Sequence, residues 1–334
     1  MTPLHEGHCT NAVPLPFDRM SGFGVPIRYP SYGKGQHRTG GFMDVFSSLM
    51  AIGECLLDTP RTQAFERAIA SVVQRGDTVL DVGTGSGILA LFSARAGARR
   101  VLAVDIAEEL VRFARQNIAT NRYDSVIEVR HADANSLALS GSVDVVTMEL
   151  LDTWLVAEQQ VAVLNELHAN RTIGPDTRLI PCRYQCILQL VDYDFSFYGF
   201  RMPFVIQARN YTARDHVQHR LSAAHVVRDL SFYESHELDV HTSIRIPVEQ
   251  NGTCTAAVLT ARTFLTEDAW INSTSDMNMP VIVPLEKRTL ARGETVCLDI
   301  AYAMGSGFGS FRVDWVAEKV TQPRESAAAD YARP

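Results

Sequence analysis

The sequence predicts a two-domain α/β chain: a parallel sheet flanked by helices, followed by an antiparallel β domain. Three observations predict it. The chain has 334 residues, long for one small core, so two domains are the natural expectation. From residue 78 onward, short apolar runs alternate with helical patterns, the signature of βαβ units. After "GPDTRLIP" this alternation stops and short β-type runs take over.

Residues 1–40 are rich in Gly, Pro, Arg and Tyr and read as a lid or flexible segment. Residues 41–181 form the first domain. Its opening stretch, "FMDVFSSLMAIGECLLDTPRTQAFERAIASVV", predicts two helices broken at Pro60. "TVLDV", "RVLAVD", "VIEVRHAD" and "VDVVTME" predict strands. "GILALFSARAG", "AEELVRFARQNIATN" and "EQQVAVLNELHAN" predict helices. Residues 182–325 hold "YQCILQLV", "HTSIRIPV", "CTAAVLTARTFL", "MPVIVPL", "TVCLDIAYAM" and "FRVDWVAE", an antiparallel barrel or sandwich. An aromatic, interrupted segment at about 194–220 reads as an insertion, and the tail "PRESAAADYARP" as loose.

Composition narrows the function classes. Apolar residues make up 46% and charged residues 21%, ordinary for a soluble globular protein. The net charge of −7 disfavours a nucleic-acid binder. The six cysteines are scattered without a CxxC pair, so reduced thiols in a cytoplasmic protein are expected, and no metal site. The N-terminus lacks the basic and apolar regions of a signal peptide. No apolar stretch reaches the ~20 residues that span a bilayer, so no membrane partner is expected.

"VLDVGTGSG", residues 79–87, joins the first strand to the first helix of the alternating region. Gly83, Gly85 and Gly87 allow a tight turn and close approach to a ligand, and the helix N-terminus offers unpaired N–H groups. This is the Rossmann-like arrangement, which in a dehydrogenase holds a pyrophosphate. Three details shift the balance. The glycines are spaced G-x-G-x-G. Asp81 lies two residues before the first glycine, where its charge suits an ammonium. Asp105 ends the second strand, where a carboxylate accepts both ribose hydroxyls; the plain alternative is a cap for the next helix. S-adenosyl-L-methionine, with an ammonium, a ribose and no phosphate, fits this set better than NAD. The "HADAN" stretch places Ala134 and Asn135 at the adenine, although a polar loop is also the ordinary expectation there.

Glu149 and Glu158 bound "ELLDTWLVAE" at the carboxyl end of the fourth strand, where open parallel sheets bind ligands. On one continuous helix they would lie on opposite faces. They converge only if the segment loops out and back, held by Leu150, Leu151, Trp154, Leu155 and Val156. On spacing alone, an ordinary helix start with a solvated Glu158 is the simpler reading.

"ELLDTWLVAE" resembles the double-glutamate loop of the protein arginine methyltransferase family. "VLDVGTGSGILALFSARAGARRVLAVDI" resembles that family's cofactor motifs. "LLDTPRT" resembles its helix turn with a cofactor-binding arginine, here Arg61, and "FYGFRMPF" the start of its dimerisation arm. The resemblance spans roughly residues 42–320. It implies a class I methyltransferase domain followed by a β-barrel with a dimerisation arm, and a homodimer. It implies S-adenosyl-L-methionine as cofactor and S-adenosyl-L-homocysteine as product, bound by Arg61, Asp81, Gly83, Thr84, Gly85, Asp105, Ile106, Ala134, Asn135 and Glu149. It implies Glu149 and Glu158 as the catalytic clamp on a guanidinium, with Trp154 and Asn278 also at the substrate. A guanidinium is cationic and planar, so two carboxylates can grip it and enrich its free nitrogen.

Three departures from the family pattern point to an unusual substrate. Phe42 and Phe46 stand where tyrosines are usual. Met277, Asn278 and Met279 replace a Thr-His-Trp loop, and Ile52 replaces a polar residue. Arg19, Arg28, Lys34, His37 and Arg38 would neutralise the α-carboxylate of a free amino acid if the N-terminal segment closed over the site. The expected reaction is therefore methylation of free L-arginine, as in the bacterial branch of streptozotocin-type antibiotic biosynthesis. Peptidyl arginine is the alternative acceptor, and a non-catalytic S-adenosylmethionine-binding scaffold the alternative of another class.

Overall fold

The structure, a computed structural model, describes residues 48–137, 139–207 and 216–316. The expectations placed on residues 1–40, on Phe42 and Phe46, and on the tail lie outside the described residues.

Two helices open the first domain, α1 (Leu49–Leu57) and α2 (Thr59–Val72). The break between them falls at Asp58, not Pro60 as expected. The Asp58 side chain caps α2 by accepting the Arg61 N–H. Pro60 sits in the first turn of α2, where the helix has no use for its missing N–H.

The parallel sheet comprises β1 (Thr78–Val82), β2 (Arg100–Asp105), β3 (Ile127–His131), β4 (Val145–Met148) and β5 (Arg178–Ile180). The helices α3 (Ile88–Ala96), α4 (Glu108–Thr120) and α5 (Gln160–Ala169) connect them. The strand order β3-β2-β1-β4-β5 reverses direction between β1 and β4. That switch point opens a crevice beyond the strands' carboxyl ends. β5 went unanticipated, because its three residues lie inside "GPDTRLIP", which reads as a boundary. Val79, Leu80, Val101, Val104, Val145 and Val146 are buried in the sheet, as a sheet covered on both faces requires.

A cis peptide bond links Ile180 to Pro181, and the β domain follows. Its strands are β6 (Arg183–Tyr193), β7 (Ser196–Phe197), β8 (Phe200–Arg201), β9 (Ile206–Gln207), β10 (Val217–Arg220), β11 (His225–Ser231), β12 (Asp239–Pro247), β13 (Gly252–Phe264), β14 (Trp270–Ile271), β15 (Val281–Leu290), β16 (Thr295–Ala303) and β17 (Arg312–Trp315). One antiparallel sheet runs β10-β6-β13-β15-β9, with β11 also on β6 and β14 on β13. A second runs β12-β16-β17. Together they curl into a barrel-like domain whose core is continuous with that of the parallel sheet. β7 and β8 form a hairpin within the expected insertion. Its tip exposes Tyr198 at 98% and Phe200 at 70% of their surface. Among the described residues, no helix is long and apolar enough to cross a membrane.

Candidate active site

The glycine loop between β1 and α3 is shaped by backbone that only glycine adopts easily. Gly83 has φ 67°, Gly85 φ 51° and Gly87 φ 85°. A Cβ on Gly83 would meet Leu150 at 2.5 Å, and one on Gly85 would meet Ile52 at 3.0 Å. The loop thus packs against both the α1 helix and the segment after β4.

Asp81 lies beneath this loop and is buried. Its carboxylate accepts the Thr84 hydroxyl at 2.6 Å and the Thr147 hydroxyl at 2.7 Å. Burial raises its pKa to about 6, although both hydroxyls oppose the shift. Asp81, expected at the ligand, braces the loop from below, and Val82, Gly83, Thr84 and Gly85 line the cavity.

Asp105 does reach the cavity wall. Its Oδ2 accepts the Gly85 N–H at 2.9 Å and its Oδ1 the Ala107 N–H at 2.9 Å. It therefore fixes the loop and starts α4 while facing the cavity. Burial raises its pKa, and the backbone bonds oppose the rise. Ile106 follows on the same wall, 60% exposed. Ala134 and Asn135 also line the cavity, on a 3-10 turn capped by Asp133. Asp133 itself lines it and was missed. Its Oδ1 accepts the Asn135 backbone N–H at 2.9 Å and the side-chain amide at 3.1 Å.

Residues 149–158 loop out and return, bringing Glu149 and Glu158 to the same cavity. Trp154 (φ 65°) and Leu155 (φ 59°) adopt left-handed backbone, costly for such side chains and held by what surrounds them. The Asp152 carboxylate accepts the N–H groups of Ala157 and Glu158, both at 3.0 Å. Burial raises the Asp152 pKa to about 7, against the opposing pull of those backbone bonds. The Thr153 hydroxyl donates to the Met279 carbonyl.

Two expected substrate residues do not reach the cavity. Trp154 is fully buried in the β-domain core against Phe311 and Tyr302, and its indole N–H donates to the carbonyls of Thr260 (3.0 Å) and Ile187 (3.2 Å). It anchors the loop. Asn278 is 2% exposed. Its amide donates to the Thr263 hydroxyl at 2.9 Å, and its Oδ1 accepts from Tyr184 at 2.9 Å. An amide in that setting is worth more as a satisfied core partner than as a ligand contact. Its neighbours Asp276 and Met279 line the cavity in its place.

Arg61, buried to 8% side-chain exposure, forms an ion pair with Glu149, whose side chain is 11% exposed. Its Nη1 donates to the Cys55 carbonyl at 3.1 Å, while its Nε is buried without a hydrogen-bond partner. Burial disfavours the Arg61 charge, but Glu149, Cys55 and Asp58 together outweigh it and the pKa rises. Cys55, also on the wall, has a thiol raised to about 11, first by burial; it lies within electrostatic reach of Arg61, Glu149, Asp276 and Glu158. Neither Cys55 nor Asp276 carries a sequence signal.

The family model for ribosomal protein L11 methyltransferase (PrmA) matches residues 58–166. An uncharacterized protein of Methanocaldococcus jannaschii is 29% identical over 259 residues, 78% of this chain and 94% of that one. The protein arginine N-methyltransferase PRMT10 of Arabidopsis thaliana is 38% identical over 115 residues, 34% of this chain and 30% of that one. Among solved structures, the Trypanosoma brucei PRMT1 enzyme-prozyme heterotetrameric complex with AdoHcy superposes with a TM-score of 0.65 at 18% identity. That match covers 77% of this chain and 89% of that one. The chain therefore shares the fold of that arginine methyltransferase structure, a Rossmann-like parallel-sheet domain joined to a barrel-like β domain.

Proposed function

We propose that the chain is an S-adenosylmethionine-dependent N-methyltransferase acting on the guanidino group of arginine. The observation that carries this reading is that Glu149 and Glu158 line the same cavity as the glycine loop and Asp105.

The residues present fit the cofactor. Gly83 and Gly85 bring the loop backbone to the cavity wall, and a carboxylate on that wall at Asp105 suits ribose hydroxyls. Arg61 has a buried donor, Nε, without a partner. Arg61 would hold the amino-acid carboxylate, Thr84 and the loop N–H groups its surroundings, Ile106, Ala134 and Asn135 the nucleoside. When bound, the cofactor supplies an electrophilic methyl on a sulfonium. Glu149 and Glu158 would grip two edges of the guanidinium through charge-assisted bonds, orient its free nitrogen and accept the proton released on methylation. A carboxylate on Arg61 would free Glu149 for this task.

The acceptor is free L-arginine if a basic side chain of residues 1–40 meets its α-carboxylate. Peptidyl arginine is the second reading, in line with the protein arginine methyltransferases among the similar proteins. The exposed hairpin at Tyr198 and Phe200 supports a homodimer.

Mass spectrometry of free arginine and of a glycine-arginine-rich peptide, each incubated with protein and S-adenosylmethionine, tests the reading. A methyl gained on either supports it and names the acceptor. Tight cofactor binding with no methyl gained on either sinks it in favour of a scaffold.

A further inference from the structure

The parallel sheet releases the chain just before the first glutamate. β4 pairs with β1 as far as Val82 opposite Met148, and with β5 as far as Ile180 opposite Thr147. Glu149 and Leu150 lie past the last pair on both sides. The Glu149 side chain is tied to Arg61. A cofactor carboxylate on Arg61 would loosen that tie when the glutamate is needed.

Gln160, the first residue of α5, supplies a second restraint and is 1% exposed. Its Oε1 accepts the Leu150 N–H at 2.9 Å, and its Nε2 donates to the Met148 carbonyl at 3.3 Å. One side-chain amide thus takes the peptide groups on both sides of Glu149, as a residue of a neighbouring parallel strand would. The group between them must both accept and donate. A glutamine does so, and an ionised carboxylate or an ammonium does not. Gln160 does not line the cavity, whereas Glu149 and Glu158 do. The end from which Gln160 reaches is itself anchored. The Gln159 amide donates to the Gly305 carbonyl at 2.8 Å, and the Gly305 N–H donates to the Leu155 carbonyl at 3.1 Å.

We propose that Gln160 is a positioning residue for methyl transfer: through the backbone on either side of Glu149 it holds that carboxylate where the guanidinium must be gripped. The inference rests on the guanidino reading of the site. It adds a residue that touches neither cofactor nor acceptor, and it assigns the clasp to the neck of the glutamate loop, where the outgoing and returning ends meet.

The test is a double-mutant cycle between Gln160→Met and Glu149→Gln, with free L-arginine and a glycine-arginine-rich peptide as acceptors. Methionine keeps the length of the side chain and removes both bonds. Turnover is counted per cofactor site titrated by calorimetry, so a change in folded fraction cancels. Gln160→Met is expected to lower kcat by about tenfold or more, with S-adenosylmethionine affinity within about threefold. In the Glu149→Gln background the same change is expected to cost about twofold or less, because the carboxylate it positions is already gone. Gln160→Asn, too short to reach both groups, repeats the cycle if the methionine variant does not fold. An equal cost in both backgrounds, a kcat within about twofold of wild type, or a loss confined to cofactor affinity overturns the assignment alone. Methylation of neither acceptor by the wild type overturns the guanidino reading and the assignment with it.

Discussion

The Asp152 carboxylate accepts the backbone N–H of Glu158 at 3.0 Å, closing the loop that returns Glu158 to the cavity. Its other oxygen takes the Ala157 N–H. One buried side chain thus sets the direction from which the second glutamate enters. Asp152→Ala would leave two amide groups without that acceptor, at a cost of about 1–3 kcal/mol each where they stay dry. The expected outcome is a loss of turnover of at least about tenfold, with S-adenosylmethionine affinity held within about threefold. Steady-state kinetics beside calorimetry of cofactor binding checks it.

Glu149→Gln and Glu158→Gln each keep the side-chain shape and remove a charge. Each is expected to lower kcat by about a hundredfold or more, because the guanidinium loses a charge-assisted grip and a proton acceptor. Far-ultraviolet circular dichroism should stay unchanged. The two variants part company in cofactor binding. Only Glu149→Gln removes the ion partner of Arg61, so only that variant is expected to shift cofactor affinity.

Asp81 supplies a pH dependence with a definite sign. Its pKa rises from 3.8 to about 6 on folding, chiefly through burial. The folded chain therefore holds this proton more tightly than the unfolded chain. The contribution to stability is most favourable below pH 3.8 and declines as pH rises toward about 6. The decline from this group is on the order of 3 kcal/mol. Asp81→Asn should flatten that part of a plot of Tm against pH. An unchanged slope would show that the carboxylate is no more protonated in the fold than outside it.

The hairpin tip gives a prediction about mass. Tyr198→Asp with Phe200→Asp places two charges on side chains that are 98% and 70% exposed. No core is disturbed, so Tm should move by less than about 2 °C. If this tip joins two copies, light scattering should show the dimer mass of the wild type falling to that of the monomer.

Much of this architecture was legible in the residues, and the misses share a cause. The alternation from residue 78 placed β1 to β4, because a strand covered on both faces must be apolar throughout and its helices must not be. The glycine loop and Asp105 followed from chemistry tied to position, whereas the meeting of Glu149 and Glu158 came only from the family resemblance, since spacing alone favours a solvated Glu158. Asp81, Trp154 and Asn278 were assigned to ligands through their place in a motif, yet all three turn into the protein. Spacing shows which residues are near a site and says nothing about which way a side chain points. Asp276 and Cys55 reach the cavity only through tertiary packing, so no local pattern announces them. β5 was hidden by its brevity, and β11 by its polar residues.

Trp154 belongs in sequence to the parallel-sheet half, but its ring is sunk among Tyr302 and Phe311 of the other half. Excision of the chain at Pro181 would therefore bare an indole, strand its N–H, and release the loop that presents the glutamates. Shuffling a foreign β domain onto this parallel-sheet domain would succeed only if the newcomer offered a socket of the same shape.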